Sequence, residues 1–151
     1  MNSNIDLVIF GARGDLAERK LLPALYQLDR AGLLDDSMRI AGLARQEVTT
    51  EEFVGNTHEN LNKYVPDSDW DEQCWARFSS RLTYVKVDFS KQEEYQNLKD
   101  WLNEERTQIY YMATPPSIFG SICENLNGSG CVFESSRIVL EKPIGHDLKS
   151  S

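Results

Sequence analysis

A chain of 151 residues, 40% hydrophobic and 26% charged, is long enough for one domain with a single core and too short for two of similar size. Its 16 basic against 24 acidic residues leave a net charge of -8, which repels nucleic acid and anionic membrane and confines an anionic ligand to a local basic or amide-lined spot. No apolar run reaches bilayer length, no export signal opens the chain, and Cys74, Cys123 and Cys131 have neither disulfide-framework nor zinc spacing, so a cytoplasmic protein with inert thiols is expected.

The apolar run Ile5 to Phe10, stopped by Gly11, reads as a strand buried on both faces of a parallel sheet. Leu16, Leu21, Leu22, Leu25 and Leu28 then follow helical spacing from Asp15 to Arg30, with Gly32 as the stop. Pro23 removes one donor inside that stretch and predicts a kink or a loosened turn. Met38 to Leu43 is a second strand, and Thr49 with Glu52 has capping-box spacing at the head of a helix reaching about Tyr64. Pro66 to Asp71 is acidic and turn-rich, and Glu72 to Arg81 is a short extra helix carrying Trp75 and Phe78. His58 is expected as an exposed helical residue.

Leu82 to Val87 alternates as a third strand ending at Asp88, and Ser90 with Glu93 repeats the capping-box spacing before a helix through Arg106. Gln108 to Ala113 makes strand four. Pro115 and Pro116 suit the start of a helix over Ser117 to Leu126, ended at Gly128, Ser129 and Gly130, and Ile138 to Leu140 make strand five. Strands alternating with helices predict an α/β fold, a doubly wound parallel sheet of Rossmann type with about five or six strands, occupying residues 1–151 as one dinucleotide-binding domain.

Function enters at the first turn. Gly11, Ala12, Arg13, Gly14, Asp15, Leu16 and Ala17 place small residues at positions one, four and seven between a buried strand and a helix. Gly11 permits the bend, Gly14 lets backbone approach a pyrophosphate, and the helix end offers amides to the anion. Asp15 reads as a helix-opening residue that satisfies amides, whereas Arg13 either lies over the coenzyme or points into water.

Strand two runs out through Gly42, Leu43 and Ala44 to Arg45 and Gln46, with no carboxylate where an acid would accept from ribose hydroxyls. Arg45 can pair with a ribose phosphate instead, so NADP is favoured, while Gln46 keeps NAD open. Asp88 either borders the adenine or caps the following helix.

The turn and its continuation through Glu18, Arg19, Lys20, Leu21, Leu22 and Pro23 closely resemble the opening of the glucose-6-phosphate dehydrogenase family. The end of strand two, Gly42 to Arg45, the run Tyr111, Met112, Ala113, Thr114, Pro115 and Pro116, and the hinge Glu141, Lys142, Pro143, Ile144 and Gly145 resemble further motifs of that family. The resemblance implies oxidation of D-glucose 6-phosphate to the 6-phospho lactone with hydride passing to NADP, at the entry of the pentose phosphate pathway. It implies that the glycine turn holds the pyrophosphate and Arg45 the ribose phosphate. Ala113, Thr114 and Pro115 would line the nicotinamide side, and Lys142 would contact coenzyme and sugar phosphate. Pro143 would be a hinge proline in a cis bond.

The family's histidine base and phosphate-binding segment lie in a second domain beyond Ser151, so no catalytic residue is expected here. His58 and His146 fall outside the family's histidine motif, and the chain alone is expected to bind coenzyme weakly without turnover. A stand-alone NADP-binding module is one alternative. A sugar dehydrogenase of the glucose/fructose oxidoreductase type, which shares Glu141, Lys142 and Pro143, is another, although Asp15, Leu16 and Ala17 followed by Arg19 and Lys20 argue against it. Uncovered apolar surface at Ile118, Phe119 and Ile144 would favour a homo-oligomer.

Overall fold

In the computed structural model, which describes residues 4–140, the strands are β1 (Ile5–Phe10), β2 (Arg39–Ala44), β3 (Leu82–Lys86), β4 (Thr107–Met112) and β5 (Arg137–Leu140). They form one five-stranded sheet in the order β3-β2-β1-β4-β5, with every pairing parallel. The order reverses between β1 and β4, and in such sheets the crevice beyond the carboxyl ends of the strands at that point is where ligands bind.

Alternation along β1 feeds two cores, one on each face. Leu7 and Ile9 join Leu22, Leu25 and Tyr26 of α1 (Leu22–Arg30), Phe53 and Leu61 of α2 (Thr50–Tyr64) and Phe78 of α3 (Glu72–Ser80). Val8 and Phe10 join Tyr95 and Leu98 of α4 (Tyr95–Trp101) and Ile122 and Leu126 of α5 (Phe119–Gly128). A sheet covered on both faces has apolar residues at successive strand positions, which is why β1 reads as an unbroken run.

The loosening expected at Pro23 is a π-helical turn over Ala17–Leu21, in which the Leu22 amide reaches back to the Ala17 carbonyl. Pro23 then enters α1 in its first turn, where no backbone donor is needed. The helix ends in a Schellman motif, with Gly32 N–H on Asp29 O at 3.0 Å and Leu33 N–H on Leu28 O at 2.9 Å. The side chains of Leu28 and Leu33, whose backbones that motif joins, are both exposed.

The capping box of α2 is closed, Thr49 Oγ1 accepting from Glu52 N–H at 3.0 Å and Glu52 accepting from Thr49 N–H at 2.8 Å. The matching spacing at Ser90 and Glu93 forms no box. Asp88 takes both Ser90 donors, N–H at 3.0 Å and Oγ–H at 2.7 Å, and Glu94 rather than Glu93 accepts the Asp88 N–H at 2.8 Å. The chain therefore opens in a 3-10 turn at Gln92–Glu94, and α4 stops at Trp101, short of Arg106. Arg106 is drawn inward to Asp6 instead.

Around the extra helix α3 the aromatics form a raft. Tyr26 stacks on Trp70 at 5.2 Å, and the His58 ring lies 5.4 Å from Trp70 and 4.9 Å from Trp75. His58 is consequently half-buried against two indoles and not the exposed residue expected from helical position alone. Ile118 and Phe119 are also partly buried, packed on the second core, and the exposed apolar surface near the sheet edge belongs to Ile138 and Val139 of β5. Ile144, His146 and Pro143 lie outside the described residues.

Candidate functional site

At the carboxyl edge of the sheet, the turn after β1, the ends of β2 and β3 and the start of α5 enclose a cleft of 570 Å³. Gly11 makes the first bend at φ +91, and a Cβ built there would fall 2.9 Å from the Thr114 methyl and 3.0 Å from the Ala113 carbonyl oxygen. Only glycine fits both the angle and the gap. The amides of Gly11 and Ala12 both bond Leu43 O at 3.0 Å, which pins the bend to the neighbouring strand. Gly14 N–H returns to Gly11 O at 3.0 Å, and helical backbone begins at Asp15. The first amides of that helix have no carbonyl behind them within it and carry its partial positive charge.

Gly11, Arg13, Gly14, Arg45, Gln46, Asp88 and Pro115 of the expected site all line this one cleft. Ala12, Asp15, Leu16, Ala113 and Thr114 do not line it. Ala12 is buried beneath the turn, in a gap left open because Gly42 carries no Cβ, which would otherwise sit 2.9 Å from Ala12 Cβ and 2.5 Å from the Phe53 ring. Asp15 turns away to Arg19 at 3.0 Å, and its side chain is 77% exposed. Leu16 packs on the first core, as its helical phase demands. Ala113 is buried behind the bend, and Thr114 directs its methyl at Gly11. Lys142 lies outside the described residues.

The electrostatics of the cleft are lopsided. Arg13 Nη1 is buried and bonds to nothing; with Thr114 Oγ1 it makes up the buried, unpartnered side-chain polar atoms among the described residues. Arg13 as a whole is only partly buried, but a guanidinium nitrogen taken from water without a partner is costly, and such a group points to a ligand anion more readily than to packing. Its charge is felt at Tyr84, where burial pushes the phenol up and Arg13 pulls it partly back. Tyr84 Oη in turn donates to Gln46 O at 2.7 Å, bracing the chain just beyond Arg45. Arg45 is exposed at the cleft rim.

Two bonds from Ser90 hold the Asp88 carboxyl below its usual range, with smaller contributions from Lys91 and Arg45. Lys86 nearby is already neutralised by Glu94 at 3.2 Å, with Glu47 at 3.8 Å. Among the described residues no cluster of His, Cys, Asp or Glu could hold a metal ion, and the cleft carries no histidine.

Ala44, Phe89, Ser90, Ile118, Ser121 and Ile122 also line the cleft and were not expected there. Phe89 and Ser90 directly follow Asp88, so the end of strand three held a usable signal. Ile118 and Ile122 gave none, because helical spacing marks them equally well as core.

These features fit a dinucleotide: an open glycine bend, a helix start for a diphosphate, a cation lacking a counter-ion and apolar walls with few polar groups. A family model described as "Glucose-6-phosphate dehydrogenase, NAD binding domain" matches residues 8–151. Glucose-6-phosphate 1-dehydrogenase of Dickeya dadantii is 42% identical over 147 residues, which is 97% of this chain and 30% of that protein. The Gluconobacter oxydans enzyme of the same name is 42% identical over 150 residues, covering 97% of this chain and 31% of its own length.

Among solved structures, glucose-6-phosphate 1-dehydrogenase from Mycobacterium avium superimposes with a TM-score of 0.85 at 32% identity, over 99% of this chain and 32% of that one. A glucose-6-phosphate dehydrogenase in complex with its substrate glucose-6-phosphate gives 0.82 at 32% identity, over 99% and 32% of the two chains. The chain thus spans about a third of the length of the curated relatives it matches.

Proposed function

The chain belongs to the glucose-6-phosphate dehydrogenase family, and on that footing we propose that it supplies the NADP-binding half of an enzyme oxidising D-glucose 6-phosphate to 6-phospho-D-glucono-1,5-lactone. The observation that carries the coenzyme assignment is the meeting of two cations in one cleft, Arg13 with an orphaned nitrogen and Arg45 at the rim, beside a glycine bend that opens a helix. Bound NADP would supply the hydride acceptor. The amides of Asp15 and Leu16 at the head of the helix would face the diphosphate, with Gly14 leaving room for its approach, and Arg45 with Arg13 the ribose phosphate. Ala44, Arg45 and Gln46 bring no carboxylate to repel that phosphate, and Gln46 can still donate to a hydroxyl, which leaves weaker NAD binding in reach.

Asp88 would stand at the adenine edge and Pro115 toward the nicotinamide. Ala12 would support the turn from beneath, with Ala113 and Thr114 behind it. Lys142 would meet coenzyme and sugar phosphate. Removing hydride from a sugar hydroxyl needs a base to accept the proton, and a carboxyl held as low as Asp88 is a poor one at neutral pH. The base is therefore assigned to the histidine of the complete enzyme. A cytoplasmic setting accords with three free thiols. Ile138 and Val139 of β5 are the proposed self-association surface.

Titration of NADP and NAD against the chain and its Arg45→Ala variant tests the assignment. Loss of a charge-assisted phosphate contact should weaken NADP about ten- to hundredfold and leave NAD nearly unchanged. Equal losses would move Arg45 out of the phosphate site. Incubation of the chain with NADP and glucose 6-phosphate should yield no NADPH, and turnover would mean that these residues already contain a base.

A further inference from the structure

Between the end of β2 at Ala44 and the cap at Thr49, residues 45–48 make no backbone-to-backbone hydrogen bond among the described residues. Arg45 and Gln46 therefore sit on a stretch that neither sheet nor helix holds in place. Tyr84 of β3 reaches it from both ends. Its N–H, on an edge strand of the sheet, donates to Thr50 Oγ1 in the first turn of α2 at 3.0 Å, and its Oη donates to Gln46 O at 2.7 Å. The ring is fixed in turn. Tyr84 is 8% exposed, stands opposite Gly42 in the register of β2 with β3, and lies 5.6 Å from Phe53, the ring that fills the space Gly42 leaves. Tyr84 itself does not line the cleft.

Resting on the coenzyme reading above, we infer that Tyr84 is a positioning residue for coenzyme choice, its hydroxyl pinning the Gln46 carbonyl and so holding Arg45 where a ribose phosphate can meet it. The physical reason is preorganisation. A guanidinium on a loose stretch must have that stretch ordered when the phosphate binds, and the cost comes off the affinity. A stretch already held spares most of that cost. NAD brings no ribose phosphate, draws nothing from Arg45 and gains little from the brace. Burial pushes the Tyr84 phenol up, so the hydroxyl keeps its proton and remains a donor at neutral pH. Packing against Phe53 needs the ring alone, whereas holding Gln46 needs the hydroxyl.

Titration of NADP and NAD against the 151-residue chain, Tyr84→Phe, Arg45→Ala and the double variant tests this, with urea midpoints measured alongside. Tyr84→Phe keeps the ring on Phe53 and should fold. It should weaken NADP about three- to tenfold and leave NAD within about twofold, which lowers the preference for NADP. In the Arg45→Ala background the same substitution should change neither coenzyme by more than about twofold, because the side chain it positions is gone. Equal losses for the two coenzymes, a loss that persists in full without Arg45, or a lower urea midpoint with the preference unchanged would overturn the inference and mark Tyr84 as a packing residue. The coenzyme reading would still stand in those cases if Arg45→Ala removes the preference. No binding of either coenzyme by the parent chain, or an Arg45→Ala variant that keeps the parent's preference, would remove that reading and the inference with it.

Discussion

The two edges of the sheet are both rich in arginine, and they treat it in opposite ways. At the amino edge Asp6 is fully buried and accepts from Arg39 at 2.8 and 2.6 Å and from Arg106 at 2.6 Å. Arg39 also lies over the Trp101 ring at 4.1 Å. Beside it, buried Asp29 accepts from Arg81 twice at 3.1 Å and from Arg77 at 3.0 Å, while Arg81 spends its remaining donors on the carbonyls of Asp35 and Met38. Every one of these cations has a protein anion. At the carboxyl edge Arg13 buries a nitrogen with no partner, and Arg45 stands exposed beside it. A fold that can pair its arginines so completely at one end leaves them open at the other where a ligand is to complete them.

The contrast breaks most visibly at Asp29. Asp29→Ala strands Arg81, whose side chain is 3% exposed, and should cost about 3–5 kcal/mol of unfolding free energy in urea. Asp6→Ala should cost less, because Arg39 is 36% exposed and can turn to water. At the other edge Arg45→Ala should remove about 1.5–3 kcal/mol from NADP binding and shift the urea midpoint hardly at all. A stability loss there as large as that of Asp29→Ala would erase the distinction between the edges.

Gly42→Ala probes packing in place of charge. With Phe53 and Ala12 already against the missing Cβ, it should cost about 1–3 kcal/mol and disturb the turn that Ala12 supports. Arg13→Gln sharpens the comparison from the opposite side, since deleting a partly buried charge whose buried nitrogen has no partner should leave the free chain as stable or slightly more so. The smallest effect is with acid. Asp88 and Glu94 both titrate below their ordinary values of 3.8 and 4.5, Asp88 through Ser90 and Glu94 through the Asp88 amide and Lys86. A depressed carboxyl contributes stability above its unfolded value and loses it as pH falls through the folded one. Urea midpoints should therefore decline slightly below about pH 4.5, less so in Glu94→Gln.

Much of this was legible because it is local. The β1 run, the Thr49 and Glu52 box, the loosened turn at Pro23 and the glycine bend each depend on residues a few positions apart. Arg45 could be placed at the cleft because it directly follows a strand end. The amino-edge networks could not be read, since Asp6 meets Arg39 across 33 positions and Arg106 across 100, and nothing in the sequence pairs them. The Ser90 and Glu93 box failed because Asp88, two residues upstream, competes for the same donors. Asp15 and Leu16 sit in the right motif, yet their side chains follow helix phase and leave the cleft. Ile118 and Ile122 do both jobs, since Ile122 is buried in the second core with Ile118 packed against it while both also line the cleft, and spacing could announce only the first.

The claim that the unmatched arginines are a ligand's share of the charge balance is tested most directly by a crystal structure of the chain grown with NADP. Ribose phosphate oxygens should lie within about 3 Å of both the Arg13 and Arg45 guanidinium nitrogens, with the orphaned nitrogen of Arg13 now paired. Coenzyme bound with that nitrogen still alone, or with its ribose phosphate in open solvent, would contradict it.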